Sequence, residues 1–264
     1  MENSFAVVTG ASSGIGLELA RQFGLNGFDL IIASSSDDIF RAQEDLQEEG
    51  FNVEAIKVNL ATYAGVENLY NAIKKSGRVP DAIAINAGVG VGGPFLENDL
   101  NEEINLINLN IISAIHLTKR ILPDMKTRGQ GKILYTSSIA SQTPTPFQAV
   151  YGASKAFLTS FAEGLRNELK GSGITISILM PGATHTQFFH RADMEDTKLG
   201  SEEKYRNDPE EVARQGFEAL MEGKENVFAE SFLTKLGGYA MKILPDKAKA
   251  QLHRKWSEPG SARH

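Results

Sequence analysis

The strongest constraint on the fold is a rhythm: seven short apolar runs separated by longer amphipathic stretches. The runs read as strands at 5–9, 29–33, 53–58, 82–86, 132–137, 174–180 and 227–229. Alternation of this kind marks βαβ units around a parallel sheet. Between the runs, 14–24 carries Ile15, Leu19 and Phe23 on one helical face, and 66–75 carries Val66, Leu69, Tyr70 and Ile73. The stretch 101–128 has the period of one long helix, stopped by Gly129 and Gly131, and 151–170 reads as another, closed by Gly171. Connections are short and no linker interrupts them. The expected fold class is α/β: a single doubly wound Rossmann domain over 1–264, with a parallel seven-stranded sheet and helices on both faces.

Composition removes several function classes. A net charge of −6 argues against binding nucleic acid or anionic membrane through bulk charge. The absence of Cys excludes disulfides, thiolate catalysis and Cys-based metal sites. No run approaches the roughly 18 apolar residues of a membrane span. The first apolar run, 5–8, is too short for a secretory leader, so a cytoplasmic protein is expected. His116, His185, His190, His253 and His264 show no metal-ligand spacing.

Two stretches carry chemistry. Thr9-Gly10-Ala11-Ser12-Ser13-Gly14-Ile15-Gly16 sits where a strand hands over to a helix. Gly10 suits the tight turn, Gly14 a close approach of backbone to phosphate, and Gly16 close helix–sheet packing. The helix N-terminus then offers free N–H groups and a partial positive charge to a pyrophosphate. Farther on, Tyr151 and Lys155 are four apart and share a helical face, which brings an ammonium close to a phenol. A nearby positive charge favours the phenolate, so Lys155 is expected to lower the Tyr151 pKa and fit it for acid/base work. Ser138, 13 positions upstream of Tyr151, can meet the same substrate oxygen if a strand ends there and the Pro-rich loop returns.

These motifs, in this order and at these intervals, resemble the short-chain dehydrogenase/reductase family over nearly the whole chain. Thr9 to Gly16 resembles the family's cofactor turn. Ile85-Asn86-Ala87-Gly88 resembles its Asn-Asn-Ala-Gly motif, with Ile in place of the first Asn. Pro181-Gly182-Ala183-Thr184-His185-Thr186 resembles the turn that holds the nicotinamide carboxamide. Ser138, Tyr151 and Lys155 match the catalytic Ser, Tyr and Lys, and Asn110 falls where the family places an Asn that helps hold a water between Lys and solvent. The resemblance implies hydride transfer between a nicotinamide and a carbonyl or alcohol. Tyr151 would be the proton donor, Ser138 the holder of the oxyanion, and Lys155 a partner of the nicotinamide ribose.

It also implies a cofactor site made of Gly10, Ser12, Ser13, Gly14, Ile15, Gly16, Ser34, Ser35, Asn59, Leu60, Asn86, Ala87, Gly88, Tyr151, Lys155, Pro181, Gly182, Thr184 and Thr186. Three positions here depart from the family. Ser34 stands where a carboxylate usually selects NAD, and Ser35 where a basic residue selects NADP. Asn59, before Leu60, replaces the Asp near the adenine. Ser34, Ser35 and Ser36 can donate to a 2′-phosphate, whereas Asp37 and Asp38 would oppose one if they faced it. NADP(H) is therefore expected, with NAD(H) as the alternative.

The stretch 184–208 is polar and mixed and reads as a substrate lid. Phe147, Phe188, Phe189 and Met194 suit a hydrophobic ketone, aldehyde or acyl group. The C-terminal extension 230–264 holds Phe232, Leu233, Leu236, Tyr239, Met241, Ile243 and Leu244, then a basic stretch from Lys247 to Lys255 ending at Trp256. It reads as a helix packed on the domain or a second subunit, the alternative being an interfacial helix, apolar on one side and basic on the other, in weak contact with a membrane or touching an acyl substrate. The last residues, 257–264, are expected to fray. By resemblance the chain forms a homodimer or homotetramer. The competing reading is a non-catalytic dinucleotide sensor or scaffold, which would have little need for Asn110, Ser138, Tyr151 and Lys155 together.

Overall fold

Seven parallel strands lie in the order β3-β2-β1-β4-β5-β6-β7. They are β1 (Ser4–Thr9), β2 (Phe28–Ser34), β3 (Val53–Lys57), β4 (Ala82–Ile85), β5 (Gly131–Thr136), β6 (Ile174–Pro181) and β7 (Asn226–Ala229). The computed structural model describes residues 3–202, 206–229 and 245–263. All seven expected strands are present, each within one or two residues of the ends read from sequence.

Alternation along the strands feeds two cores. Phe5, Val7, Ile31, Ile83, Ile133 and Ile178 face one side, where they pack on α3 (Tyr63–Lys75), α5 (Ser113–Arg128) and α6 (Ala149–Glu168). Ala6, Val8, Leu30, Ile32, Ala84 and Leu134 face the other, against α1 (Gly14–Leu25), α2 (Asp38–Glu48) and α9 (Pro209–Glu222). Successive side chains on a strand point to opposite faces, so a sheet buried on both sides must be apolar throughout. That is why the runs were so legible.

The order reverses between β1 and β4, which opens a crevice at their carboxyl ends. Thr9 closes the floor of this crevice. Its Oγ1 accepts from the backbone N–H groups of Asn86 and Ala87, both at 3.0 Å, and the Asn86 amide donates to the Thr9 carbonyl at 3.2 Å.

The expected long helix is α4 (Leu100–Ile107) continuing into α5 through a π-helical turn, Asn108–Ile112, with Asn110 buried inside it. Such turns mark functional positions in other helices. Two helices were not anticipated. The α2 helix buries only Ile39, Ala42 and Leu46, a narrow stripe in an acidic segment. The α9 helix is bounded by an Asp208 cap, Pro209 at its first position and Gly223 at its end.

The lid stretch holds two single-turn helices, α7 (Phe188–Arg191) and α8 (Lys198–Ser201), and its base is pinned where Thr184 pairs with Asn207. Residues 203–205 of that stretch lie outside the described residues, as do the tail positions Phe232, Leu233, Leu236, Tyr239, Met241, Ile243 and Leu244. A C-terminal helix, Asp246–Ser257, follows. The expectation that 257–264 fray is corrected for 257–262. Gly260 N–H donates to the Asp196 carboxylate at 2.7 Å and Ala262 N–H to the Asp196 carbonyl at 3.0 Å, so these backbone groups are held by the lid. Among the described residues, no helix is long and apolar enough to cross a membrane.

Candidate active site

The crevice at the strand switch is an open cleft of about 220 Å³. It is lined by Gly10, Ser12, Ser13, Gly14, Ile15 and Gly16 of the first turn, Ser34 and Ser35 after β2, Asn59 and Leu60 after β3, and Asn86, Ala87 and Gly88 after β4. Tyr151, Lys155, Pro181, Thr184 and Thr186 complete the far side. Gly182 of the expected set stays behind the lining, its carbonyl accepting the Thr184 hydroxyl at 3.0 Å.

Gly10 adopts φ +68°, a turn that L side chains rarely make. A Cβ on Gly16 would stand 2.1 Å from the Gly10 carbonyl oxygen, so only glycine lets α1 start this close to β1. The Ser13 side chain makes no capping bond to α1, and that helix has no acidic residue in its first turn. Unpaired N–H groups and the positive end of the helix therefore face the cleft. Among the described residues, no carboxylate lines it.

The 2′ region has its own arrangement. Ser12 Oγ and Ser34 Oγ are 2.9 Å apart, both at the cleft. Asp37 is engaged by Lys57 at 2.6 Å, and Asp38 accepts from the Ser36 hydroxyl at 2.7 Å. Neither acid lines the cleft. Asn59 spends its amide oxygen on Ala61 N–H, at 3.0 Å.

The other end holds the Tyr, Ser and Lys. Ser137 and Thr159 hydroxyls, 2.8 Å apart, fasten the end of β5 to α6, and Ser137 donates to the Lys155 carbonyl at 3.0 Å. This sets Tyr151 and Lys155 one turn apart over the strand end, with the Lys155 Nζ 5.8 Å from the Tyr151 ring centroid. Ser138 begins a short 3₁₀ turn; its hydroxyl accepts from Ala140 N–H at 3.1 Å and stands beside the Tyr151 phenol, close enough to draw its pKa down. Lys155 donates to the Thr136 carbonyl at 2.9 Å. Asn110 lies alongside. Its amide oxygen accepts from Val89 N–H at 2.9 Å, and its amide nitrogen donates to the Val89 carbonyl and the Ser154 hydroxyl. A methyl on Gly88 would stand 3.1 Å from the Asn110 oxygen and 3.2 Å from the Lys155 nitrogen, which places all three together.

One electrostatic expectation is corrected. Burial, not Lys155, dominates the Tyr151 phenol and pushes it up to about 12, with the Ser138 hydroxyl pulling the other way. The same burial pushes Lys155 down to about 8. In a dry site each group is driven toward its neutral form, and the attraction of ammonium for phenolate does not outweigh that cost.

Phe188, Met194 and Phe147, read from sequence as suiting an apolar substrate, roof this end together with residues that the sequence did not announce, Val89, Val91, Val150 and Ala140. The Phe188 ring packs on Tyr151 with centroids 5.1 Å apart, and Val89, Val91, Val150 and Ala140 join the same apolar cluster. Met194 packs against Gly92, whose N–H donates to the Ala192 carbonyl at 2.9 Å. Gly93 N–H donates to the Phe147 carbonyl at 2.9 Å. Phe147 has φ +64°, a left-handed conformation that costs a non-glycine residue about 1–3 kcal/mol and so must be held by its surroundings. The run Gly88-Val89-Gly90-Val91-Gly92-Gly93 was the available signal, since so much glycine after a strand indicates close approach of other chain segments. Arg191 and Gln187 also line the cleft, without any motif to announce them.

Residues 4–197 match the model of the short chain dehydrogenase family. The very-long-chain 3-oxoacyl-CoA reductase of Anas platyrhynchos is 35% identical over 185 residues, covering 67% of this chain and 59% of the reductase. The match thus spans less than two thirds of that relative's own length. A short-chain dehydrogenase from Sphingobium yanoikuyae, in complex with NADPH, superposes with a TM-score of 0.78 at 26% identity, covering 85% of this chain and 86% of that one. A short-chain dehydrogenase/reductase from Burkholderia phymatum, in complex with NAD, gives a TM-score of 0.82 over 98% of both chains. At 23% identity, the latter is a likeness of fold.

Proposed function

We propose, from the premise that this chain belongs to the short-chain dehydrogenase family, that it is an NAD(P)(H)-dependent oxidoreductase acting on a hydrophobic carbonyl compound or the matching secondary alcohol. The observation that carries the reading is the buried Ser138–Tyr151 hydroxyl pair, with Lys155 one turn away, at the edge of an acid-free cleft. The cleft suits a dinucleotide: the uncapped α1 terminus can receive the pyrophosphate, and Asn59 and Leu60 can border the adenine. Thr184 and Thr186 can take the nicotinamide end. When bound, the nicotinamide supplies or accepts the hydride.

The chain's own part is the proton and the charge. In the reductive direction Tyr151, protonated throughout the neutral range, gives its proton to the substrate oxygen. Ser138 donates to the same oxygen as charge develops there. Lys155 holds a positive charge at neutral pH behind the phenol, and it would bond the nicotinamide ribose when the cofactor is present. Asn110 ties the Val89 segment to the helix beside Lys155 and completes the proton path. Phe188 and its apolar neighbours exclude water from the reacting atoms, and 184–208 acts as the lid. The acyl chemistry in the name of the Anas relative agrees with this apolar roof, so a ketone, aldehyde or acyl compound is the substrate class.

NADP(H) is the favoured cofactor, with NAD(H) as the alternative. The support is that Ser12 and Ser34 present hydroxyls at the cleft while Asp37 and Asp38 are engaged elsewhere. A homodimer or homotetramer is supported by the exposed apolar side chains Leu100, Ile104, Ile107, Ile112 and Phe157 on α4 to α6. Light scattering tests the assembly. Flotation with liposomes tests whether the C-terminal tail touches membrane.

Titration with NADPH and with NADH, followed by nicotinamide fluorescence, tests the cofactor site. Tyr151→Phe should keep cofactor affinity and lose turnover. Turnover like the wild type in that variant removes Tyr151 from the mechanism, and failure to bind either cofactor leaves the scaffold reading.

A further inference from the structure

The C-terminal segment touches both walls of the substrate end of the cleft and joins them. On one side, the Asp196 carboxylate accepts from Gly260 N–H at 2.7 Å, the Asp196 carbonyl from Ala262 N–H at 3.0 Å, and the Ser261 hydroxyl from Lys198 N–H at 3.0 Å. These three bonds fasten the end of the chain to α8 and the loop before it. On the other side, the Arg254 guanidinium lies 5.1 Å from the Phe147 ring centroid, and the His253 ring faces the Pro146 carbonyl closely enough to feel it. The wall so gripped is the left-handed residue of the loop between Ser138 and Tyr151. His253 also bonds the Ser257 hydroxyl at 2.9 Å, and burial pushes its pKa down to about 4, as expected of a neutral ring in a dry contact.

Neither wall is anchored by the sheet at this point. The lid leaves the domain after the Thr184–Asn207 pair and touches the core side through Phe188 on Tyr151, Met194 on Gly92 and one backbone bond, from Gly92 N–H to the Ala192 carbonyl. The Pro146–Phe147 loop is held to the 90–93 segment by a single backbone bond from Gly93. At their inner ends the two walls meet through the adjacent Gly92 and Gly93, which donate to the Ala192 and Phe147 carbonyls, both at 2.9 Å; how far they stand apart at their outer ends, where the chamber opens, depends on what bridges them there. In the described residues that bridge is the stretch from His253 to Ala262.

We propose that this C-terminal strap is a specificity determinant: it holds the lid at a fixed distance from the Pro146–Phe147 wall and so limits the size of the carbonyl compound that reaches Tyr151. The inference rests on the reductase reading above for its chemistry, but the bridge itself does not. An asymmetric division of labour follows. Asp196 and Arg254 touch none of the proposed reacting groups, so their loss should alter which substrate is accepted and not how the proton moves.

The test uses the full chain carrying Asp196→Ala, Arg254→Ala or both. Amide hydrogen exchange of 186–201 reads the bridge without any turnover. It should quicken in each variant, and most in the pair, while the strands of the sheet exchange as in the wild type. Steady-state reduction of a compact probe, butane-2,3-dione, and a bulky one, phenanthrene-9,10-quinone, reads specificity. The ratio of kcat/KM for bulky over compact should rise about tenfold in the double variant, with the pH dependence unchanged. Unchanged exchange in the lid overturns the bridge. Faster exchange with an unchanged ratio reduces the strap to a structural tie and overturns its role in specificity. A wild-type chain that reduces neither dione overturns the reductase reading and the specificity claim with it, whereas the exchange result still decides whether the bridge exists. Thermal melts of the variants identify loss of the whole fold, and Arg254→Lys, which keeps a cation over Phe147, should restore the ratio in part.

Discussion

The Phe188 ring lies against the Tyr151 ring with centroids 5.1 Å apart and planes at 53°, so a lid residue forms part of the dry environment that sets the phenol's acidity. Phe188 is also wedged close to Gly90, where even a methyl would stand 2.5 Å from its ring. Phe188→Ala should therefore do two things at once. It should raise KM for an apolar carbonyl substrate by about ten- to a hundredfold through lost contact area, and let water reach Tyr151, moving its pKa down from about 12 toward the ordinary value. Steady-state kinetics read the KM, and the ultraviolet absorbance of phenol ionisation, followed from about pH 9 to about pH 12 against the wild type, reads the pKa. Unchanged KM and an unchanged phenol titration mean that the ring only packs.

Lys155 is a buried cation with one hydrogen bond from its ammonium, to the Thr136 carbonyl at 2.9 Å. Burial depresses its pKa from the usual 10.5 to about 8, so the fold favours the neutral amine. Below pH 8 the group is charged in both folded and unfolded states, and the fold carries a penalty of roughly 3 kcal/mol. As pH rises from 8 toward 10.5 the folded protein releases the proton first, and stability recovers. Above about pH 10 the buried phenols of Tyr135 and Tyr151, both pushed up, act in the opposite sense and limit the useful window to pH 8–10. Lys155→Met should lose turnover, melt higher than the wild type at pH 7 and lack the gain in stability between pH 8 and 10. A variant that melts lower shows that the ammonium's interactions outweigh its desolvation.

The same two groups fix the pH profile of the reaction. With Tyr151 near 12 and Lys155 near 8, the proton donor is loaded across the neutral range, and the supporting charge is lost first. Carbonyl reduction should be level from pH 6 to 7.5 and fall through a single ionisation near pH 8. A rate that rises through pH 8 assigns the titration to the phenol instead and returns Lys155 to the role expected of it from sequence.

How much of this was legible follows from what each segment buries. The strands were readable because both faces are covered, so 5–8 and 30–33 are unbroken apolar runs. The α2 helix escaped because three residues, Ile39, Ala42 and Leu46, suffice to bury its stripe in an otherwise acidic segment. The π turn at Asn110 has no signature in a 3.6-residue period, since it alters one turn of an otherwise continuous pattern. The Ser, Tyr and Lys were found as a motif, but the direction of the Tyr151 shift was not, because desolvation depends on Phe188 and the chain packed around it. The docking of 257–262 was illegible for a related reason: it relies on backbone N–H groups meeting Asp196 more than sixty residues away, and any sequence supplies those donors.

The cofactor's 2′ end gives the sharpest remaining test. Ser34 closes β2 with its hydroxyl 2.9 Å from that of Ser12, and the nearest acids, Asp37 and Asp38, are engaged by Lys57 and Ser36. Ser34→Asp would set a fixed negative charge beside Ser12 at the cleft. Against a phosphate dianion that charge is repulsive, whereas a ribose carrying two hydroxyls can donate to it. NADPH should bind at least about tenfold more weakly and NADH more tightly, so the ratio of their dissociation constants should shift by about a hundredfold. Fluorescence titration of both cofactors into the variant and the wild type measures it, and the fold should tolerate the change because Ser34 is only partly buried. An unmoved ratio would place the 2′ group away from Ser34. Lys57, which β3 sets directly beside Ser34 in the parallel register, would then be the residue to replace next.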